Sequence, residues 1–171
     1  MKNRDLLVAV SAGALGLLAG CAQNTPVAGA PSRSQTIAMS ESARWTANIQ
    51  SVMQSRGEVV QTTRDRSYGS AIWTRGDRPS LTSIALTFNY TGSDRYLSWA
   101  ILSGSCGTPA LPIIPMSNFP ELQIGGGGRA QVSSSLPVEF PTSGSYHIEV
   151  YRSRQQGIDA LIACGNLKLV G

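Results

Sequence analysis

From Leu81 onward, hydrophobic and polar positions alternate with period two. Thr82, Ile84, Leu86, Phe88 and Tyr90 share one face, and Ser83, Ala85, Thr87 and Asn89 share the other. That is the pattern of a half-buried β-strand. Thr91-Gly92-Ser93-Asp94 reads as a turn, and Leu97, Trp99 and Ile101 then alternate with Ser98 and Ala100. The pattern predicts a hairpin of these two strands. Ser103 to Pro120 holds four prolines and two glycines, so it reads as a long loop. Ala130, Val132 and Ser134 begin a further short strand, and Pro141-Thr142-Ser143-Gly144 marks a turn. Tyr146, Ile148 and Val150 point inward on the next strand, residues 158–164 form a last one, and a strand over 67–75 with Tyr68, Ile72 and Trp73 precedes them all.

Trp45, Ile49, Val52 and Met53 fit helical spacing as well as a ragged strand, and are read here as a strand. About seven to eight short strands separated by turn signals predict an all-β antiparallel sandwich over residues 43–171.

The first residues follow a different logic. Lys2 and Arg4 precede an apolar run from Leu6 to Leu18, broken only by Ser11 and small residues. Those are the parts of a secretory signal. The run is about thirteen residues, short of the roughly 20 that cross a bilayer. It ends in Leu18-Ala19-Gly20-Cys21. This tetrapeptide resembles the lipobox of bacterial lipoproteins. The resemblance implies a signal peptide over 1–20, cleavage before Cys21, and acyl chains such as palmitate on that cysteine. Each buried methylene adds about 0.8 kcal/mol, so several chains on one residue hold a protein firmly to the lipid bilayer. The next residue is Ala22, not Asp, which in envelopes of the enterobacterial kind implies the outer membrane, facing periplasm or cell surface. Residues 21–42 are small, polar and proline-punctuated, a flexible tether reaching roughly 25 Å root-mean-square.

Composition sharpens this picture. Hydrophobic residues make up 42% of the 171, enough to build a core, and charged residues only 14%. The formal charge is +4, of which Lys2, Arg4 and Asp5 contribute +1. The remainder is too weakly basic to suggest a nucleic-acid partner. Eleven of its twelve cations are arginines. Arg56, Arg64, Arg66, Arg75 and Arg78 lie close together but interleaved with Glu58, Asp65 and Asp77, as in a mixed-charge loop.

With Cys21 taken by lipid, Cys106 and Cys164 remain in an oxidising compartment, where a disulfide is expected. It would close a loop of about 57 residues, worth about 4 kcal/mol by chain entropy. A catalytic thiol partnered by His147 would need one free cysteine and an inward histidine. By strand parity His147 lies opposite Tyr146, Ile148 and Val150 and is expected in solvent.

Two segments carry a further resemblance. The last strand reads Ile162-Ala163-Cys164-Gly165-Asn166-Leu167, and an earlier one runs into Ser103-Gly104-Ser105-Cys106-Gly107. This pairing resembles the Cu/Zn superoxide dismutase family over roughly residues 67–171. The resemblance implies a Greek-key sandwich with a loop cysteine bonded to a C-terminal Ala-Cys-Gly. The family's metal ligands do not follow. Leu97-Ser98-Trp99-Ala100-Ile101 stands where that family has its paired histidines, Tyr151 stands near its later copper histidine, and the chain has one histidine. Neither a metal site of that type nor dismutase activity is expected.

Gly125-Gly126-Gly127-Gly128-Arg129 lacks the Lys-Ser/Thr of a phosphate loop and reads as a turn before a strand. Glu121, Glu139, Glu149 and Asp159 could offer a carboxylate pair, but Glu139 and Glu149 take the polar parity of their strands, and solvated surface charge is expected. Tyr96, Trp99 and Trp73 could line a binding patch, but Trp99 has core parity, and Tyr96 is expected exposed. No cofactor fingerprint and no nucleophile elbow is present. The expectation is a displayed, non-catalytic domain that binds an envelope protein or cell-wall polymer, or serves as a surface component. The alternative is an envelope hydrolase or redox enzyme with an unrecognised site.

Overall fold

A computed structural model describes residues 43–55, 58–61, 67–152 and 160–171. The segments expected to be a signal peptide (1–20) and a tether (21–42, with Cys21), and Asp159, Arg56, Arg64, Arg66 and Asp65, lie outside the described residues.

Nine strands are described: β1 (Arg44–Ser55), β2 (Glu58–Gln61), β3 (Tyr68–Arg75), β4 (Thr82–Asn89), β5 (Tyr96–Ser103), β6 (Leu122–Gln123), β7 (Arg129–Leu136), β8 (Tyr146–Tyr151) and β9 (Leu161–Val170). All pairings are antiparallel, in the order β6-β5-β8-β9-β1-β3-β4-β7, with β2 hairpinned onto β1. The sheet curls so that its two halves enclose one core, close to a barrel. The chain leaves β4 for β5 on the far half and returns as β7 beside β4, a Greek-key path. The all-β sandwich expected from the sequence is therefore the fold. The ambiguous stretch after Trp45 is a strand, and the last strand starts later and runs further than 158–164.

The expected hairpin of 81–90 with 97–101 does not form. β4 pairs with β3 and β7, whereas β5 pairs with β8 and β6. The turn-like residues 91–95 instead cross between the halves. The Tyr90 hydroxyl donates to the Asp94 carboxylate across this arch. Alternation alone cannot tell a hairpin partner from the first strand of the opposite layer, because both present the same inward face.

The inward parities all fill one core. It takes Trp45 and Ile49 from β1, Trp73 from β3, Ile84, Leu86 and Phe88 from β4, Leu97, Trp99 and Ile101 from β5, and Ile148 and Val150 from β8. At one end the cross-strand pair Trp45 and Trp73 packs edge-on against Tyr146, with centroids 5.3 and 5.7 Å away. At the other the Trp99 indole N–H donates to the Pro120 carbonyl at 2.6 Å, and Phe119 packs edge-on against its ring.

β5 and β8 break the half-buried rule, because both are covered on both faces. The cover is the long loop that the prolines predict. Cys106 is bonded to Cys164 on β9, the expected disulfide. Cys106 and Met116 pack against a second small cluster of Val52, Tyr151, Leu161 and Cys164.

Candidate functional site

β8 reads Tyr-His-Ile-Glu-Val-Tyr. Period two sends Ile148 and Val150 into the main core and puts His147, Glu149 and Tyr151 together on the opposite face. The strand register supplies their neighbours. Leu102, Ala100 and Ser98 of β5 lie opposite His147, Glu149 and Tyr151, and Asn166 and Cys164 of β9 lie opposite His147 and Glu149. Ala100 and Ser98 are small, which leaves room for the long carboxylate between them. The loop closes over this face: the Cys106 N–H donates to the Asn166 side-chain oxygen at 2.8 Å.

The solvated positions expected for His147 and Glu149 are therefore wrong. His147 is 0% exposed and Glu149 only 9%. Both residues do lie opposite Ile148 and Val150, but the outer face of β8 is an inner surface beneath a disulfide-tied loop. Sequence alternation does not register a cover supplied by an irregular segment. The one available signal was the expected disulfide itself, which had to bring the loop onto β9.

The buried groups satisfy one another in part. The Tyr151 hydroxyl donates to Glu149 Oε2, and His147 Nε2 lies 3.3 Å from Glu149 Oε1. Burial, then the hydrogen bond to Glu149 and its negative charge, push the Tyr151 phenol far above its ordinary range. It keeps its proton and acts as a donor, not a base. His147 Nδ1 has no hydrogen-bond partner among the described residues. His147, Glu149 and Cys164 bring ligand-type atoms within 4.8 Å of one another, but the Cys164 sulfur is held in the disulfide. In that state the cluster is a buried polar brace.

The other carboxylates do not join it. Glu139 is exposed, as expected, and so is Glu121. Trp99 is buried and Tyr96 is 53% exposed, both as expected. Arg75 is exposed and lies 4.9 Å over the Phe140 ring.

The glycine run is a turn leading into β7, again as expected. It forms one wall of a polar cleft of about 440 Å³ with the 92–96 crossing as the other. Asp94, Arg95, Tyr96 and Gln123 line it, together with Ile124 and the glycine backbone. Backbone bonds fix both walls: the Ile124 N–H donates to the Arg95 carbonyl at 2.9 Å, and the Tyr90 N–H to the Gly128 carbonyl at 2.7 Å. Gly128 sits at φ 75° with the Tyr90 carbonyl oxygen where a Cβ would be, so it shapes the wall, whereas Gly126 and Gly127 face open space. In sequence the two segments are separate turns, and the pairing of β6 with β5, which sets Gln123 opposite Tyr96, brings them together.

Comparison of the chain with protein-family models, with curated proteins and with solved structures gives no match in any of the three.

Proposed function

We propose that this chain is a bacterial envelope lipoprotein that works by binding. Its signal peptide is removed before Cys21, and acyl chains on Cys21 hold it to a membrane, the outer membrane by the reading of Ala22. The tether over 21–42 then displays a disulfide-braced β-sandwich to an envelope partner. The observation that favours binding over catalysis is the contrast between its two polar constellations. The groups with catalytic chemistry, His147, Glu149 and Tyr151, are buried beneath the loop. The accessible groups, Asp94, Arg95, Tyr96 and Gln123, are those of recognition.

The cleft offers a carboxylate, a guanidinium, a carboxamide and an exposed phenol ring within one small volume. Hydroxyl and amide groups of a cell-wall polymer would find paired hydrogen bonds there and a ring to lie against. No reacting atom need approach the buried histidine.

The test is retention of the chain on purified cell-wall sacculi and on envelope extract. The native chain should be retained, and a Tyr96→Ala/Gln123→Ala variant should be released at least tenfold more readily. Equal retention of both, or turnover of a cell-wall substrate by the native chain, would remove the reading. Labelled palmitate should enter the native chain and not a Cys21→Ser variant.

A further inference from the structure

The buried cluster on β8 has more donors than a brace requires. His147 is buried beside two other side chains that carry metal-ligand atoms, Glu149 and Cys164. Here Nε2 faces Glu149 and Nδ1 faces no partner among the described residues. The imidazole is 0% exposed. Beside it stand Glu149 Oε1 and the Cys164 sulfur, all three ligand atoms within 4.8 Å of one another. Cys106 is covalently joined to Cys164, and their Cα atoms lie 5.9 Å apart, close enough for both thiolates to reach one ion.

We propose that opening the Cys106–Cys164 bond converts this cluster into a site for zinc or a zinc-like divalent ion, held by the two thiolates, His147 and Glu149. The spacing suits a tetrahedron. Bonds of about 2.05 Å to nitrogen and oxygen give an edge of about 3.3 Å, and bonds of about 2.3 Å to sulfur give an edge of about 3.8 Å. The Nε2 to Oε1 separation is already 3.3 Å. The Cys164 sulfur, within 4.8 Å of both, needs to close in by no more than about an ångström, while the two sulfurs, bonded to each other in the oxidised state, part to about 3.8 Å. Glu149 Oε2 stays held by the Tyr151 hydroxyl, which orients the ligating oxygen, and Asn166 holds the loop backbone at Cys106. Two thiolates, an imidazole and a carboxylate form a donor set that zinc accepts.

The chemistry balances with a dithiol reductant. Cys106 is half-buried in the loop and Cys164 fully buried, so a thiolate attacks the Cys106 sulfur. The S–S bond breaks, Cys164 leaves as a thiolate beside His147, and a mixed disulfide forms on Cys106. The second thiol of the reductant attacks that mixed disulfide, releases Cys106 as a thiolate and leaves as its own disulfide. Two electrons have passed to the protein sulfurs. The ion then binds both thiolates and displaces any protons they have taken up. The same two cysteines thus fasten the loop in either state, by a covalent bond when oxidised and by a shared ion when reduced.

The experiment uses the full chain in detergent, titrated anaerobically with cobalt(II) alone before and after treatment with dithiothreitol and its removal. The reduced chain should take one cobalt per chain. It should develop the thiolate-to-cobalt charge-transfer band and the intense visible bands of four-coordinate cobalt, and zinc should displace them. The oxidised chain should show neither. Cys106→Ser/Cys164→Ser should fold, by near-ultraviolet circular dichroism, and lack the charge-transfer band. His147→Gln and Glu149→Gln should each bind cobalt at least tenfold more weakly when reduced. A reduced, folded chain without the band, or a band of undiminished affinity in His147→Gln, would overturn the proposal. So would a reduced chain that unfolds and is not refolded by zinc.

Discussion

His147 Nε2 lies 3.3 Å from Glu149 Oε1, two residues along one strand, with both side chains shut away from solvent. Between them and Tyr151, one carboxylate serves two neighbours. Removing it should leave the Tyr151 hydroxyl and the imidazole buried without an acceptor. Each such orphan costs about 1–3 kcal/mol. Glu149→Ala should therefore lower unfolding free energy by about 3 kcal/mol, and Glu149→Gln, which keeps an acceptor oxygen, by less. Urea unfolding followed by tryptophan fluorescence measures both. Equal losses would show that one acceptor oxygen cannot replace the carboxylate that serves both neighbours.

The disulfide acts at the same place from the other side. It joins residues 58 apart and holds the loop against Val52, Tyr151 and Leu161. Closing a loop of that length restricts the unfolded chain by about 4 kcal/mol. Cys106→Ser/Cys164→Ser, or reduction in the presence of a chelator, should shift the urea midpoint down by that free energy. Protection of the β8 amides against hydrogen exchange should fall more than that of β3 and β4, which the loop does not cover.

How far the sequence carried depends on which physical signal each feature leaves. Ile84, Leu86 and Phe88 were legible because a strand with one wet face writes its fold as alternation. The disulfide was legible because the expected export of the chain and lipidation of Cys21 left one pairing. His147 and Glu149 depart from expectation because the loop tied to β9 through Cys106 covers their face of β8, a segment with no periodicity to read. The partner of β5 was misread because Leu97, Trp99 and Ile101 face the core whichever strand lies beside them. The cleft at Asp94 and Gln123 was invisible for a related reason: its walls are 29 residues apart in sequence and meet through the pairing of the two-residue strand β6 with β5, which leaves no periodicity to read.

Alkaline stability should be limited by two tyrosines. Burial comes first among the causes that raise both Tyr151 and Tyr90, followed by the hydrogen bonds to Glu149 and Asp94, with Arg152 partly opposing the effect at Tyr90. The folded phenols hold their protons where unfolded ones, near 10.0, release them. Above that pH the unfolded state binds fewer protons than the native state, so stability falls as pH rises. The Tyr151 contribution is intact below pH 10 and declines above it, by up to about 1.4 kcal/mol per pH unit. Urea midpoints measured from pH 8 to 11 should drop more steeply for the native chain than for Tyr151→Phe. Parallel curves would locate the alkaline transition elsewhere.

The glycine wall of the cleft offers the cleanest separation of strain from sequence habit. Gly128 lies at φ 75°, and a Cβ there would meet the Tyr90 carbonyl oxygen at 2.4 Å. That carbonyl is backbone at the end of β4 and cannot swing aside as a side chain would. Gly126, two residues away in the same run, has nothing within 4 Å of its Cβ position. Gly128→Ala must move the wall or break the Tyr90 N–H bond to the Gly128 carbonyl. A strained conformation of this kind costs about 1–3 kcal/mol, and the displaced wall should also weaken retention on sacculi. Gly126→Ala relieves only unfolded-chain entropy and should be neutral or stabilising by up to about 1 kcal/mol. Thermal unfolding and sacculus binding of the two variants, measured side by side, check the assignment. Equal behaviour of the pair would mean that the run is a passive linker and that the cleft wall is not built on Gly128.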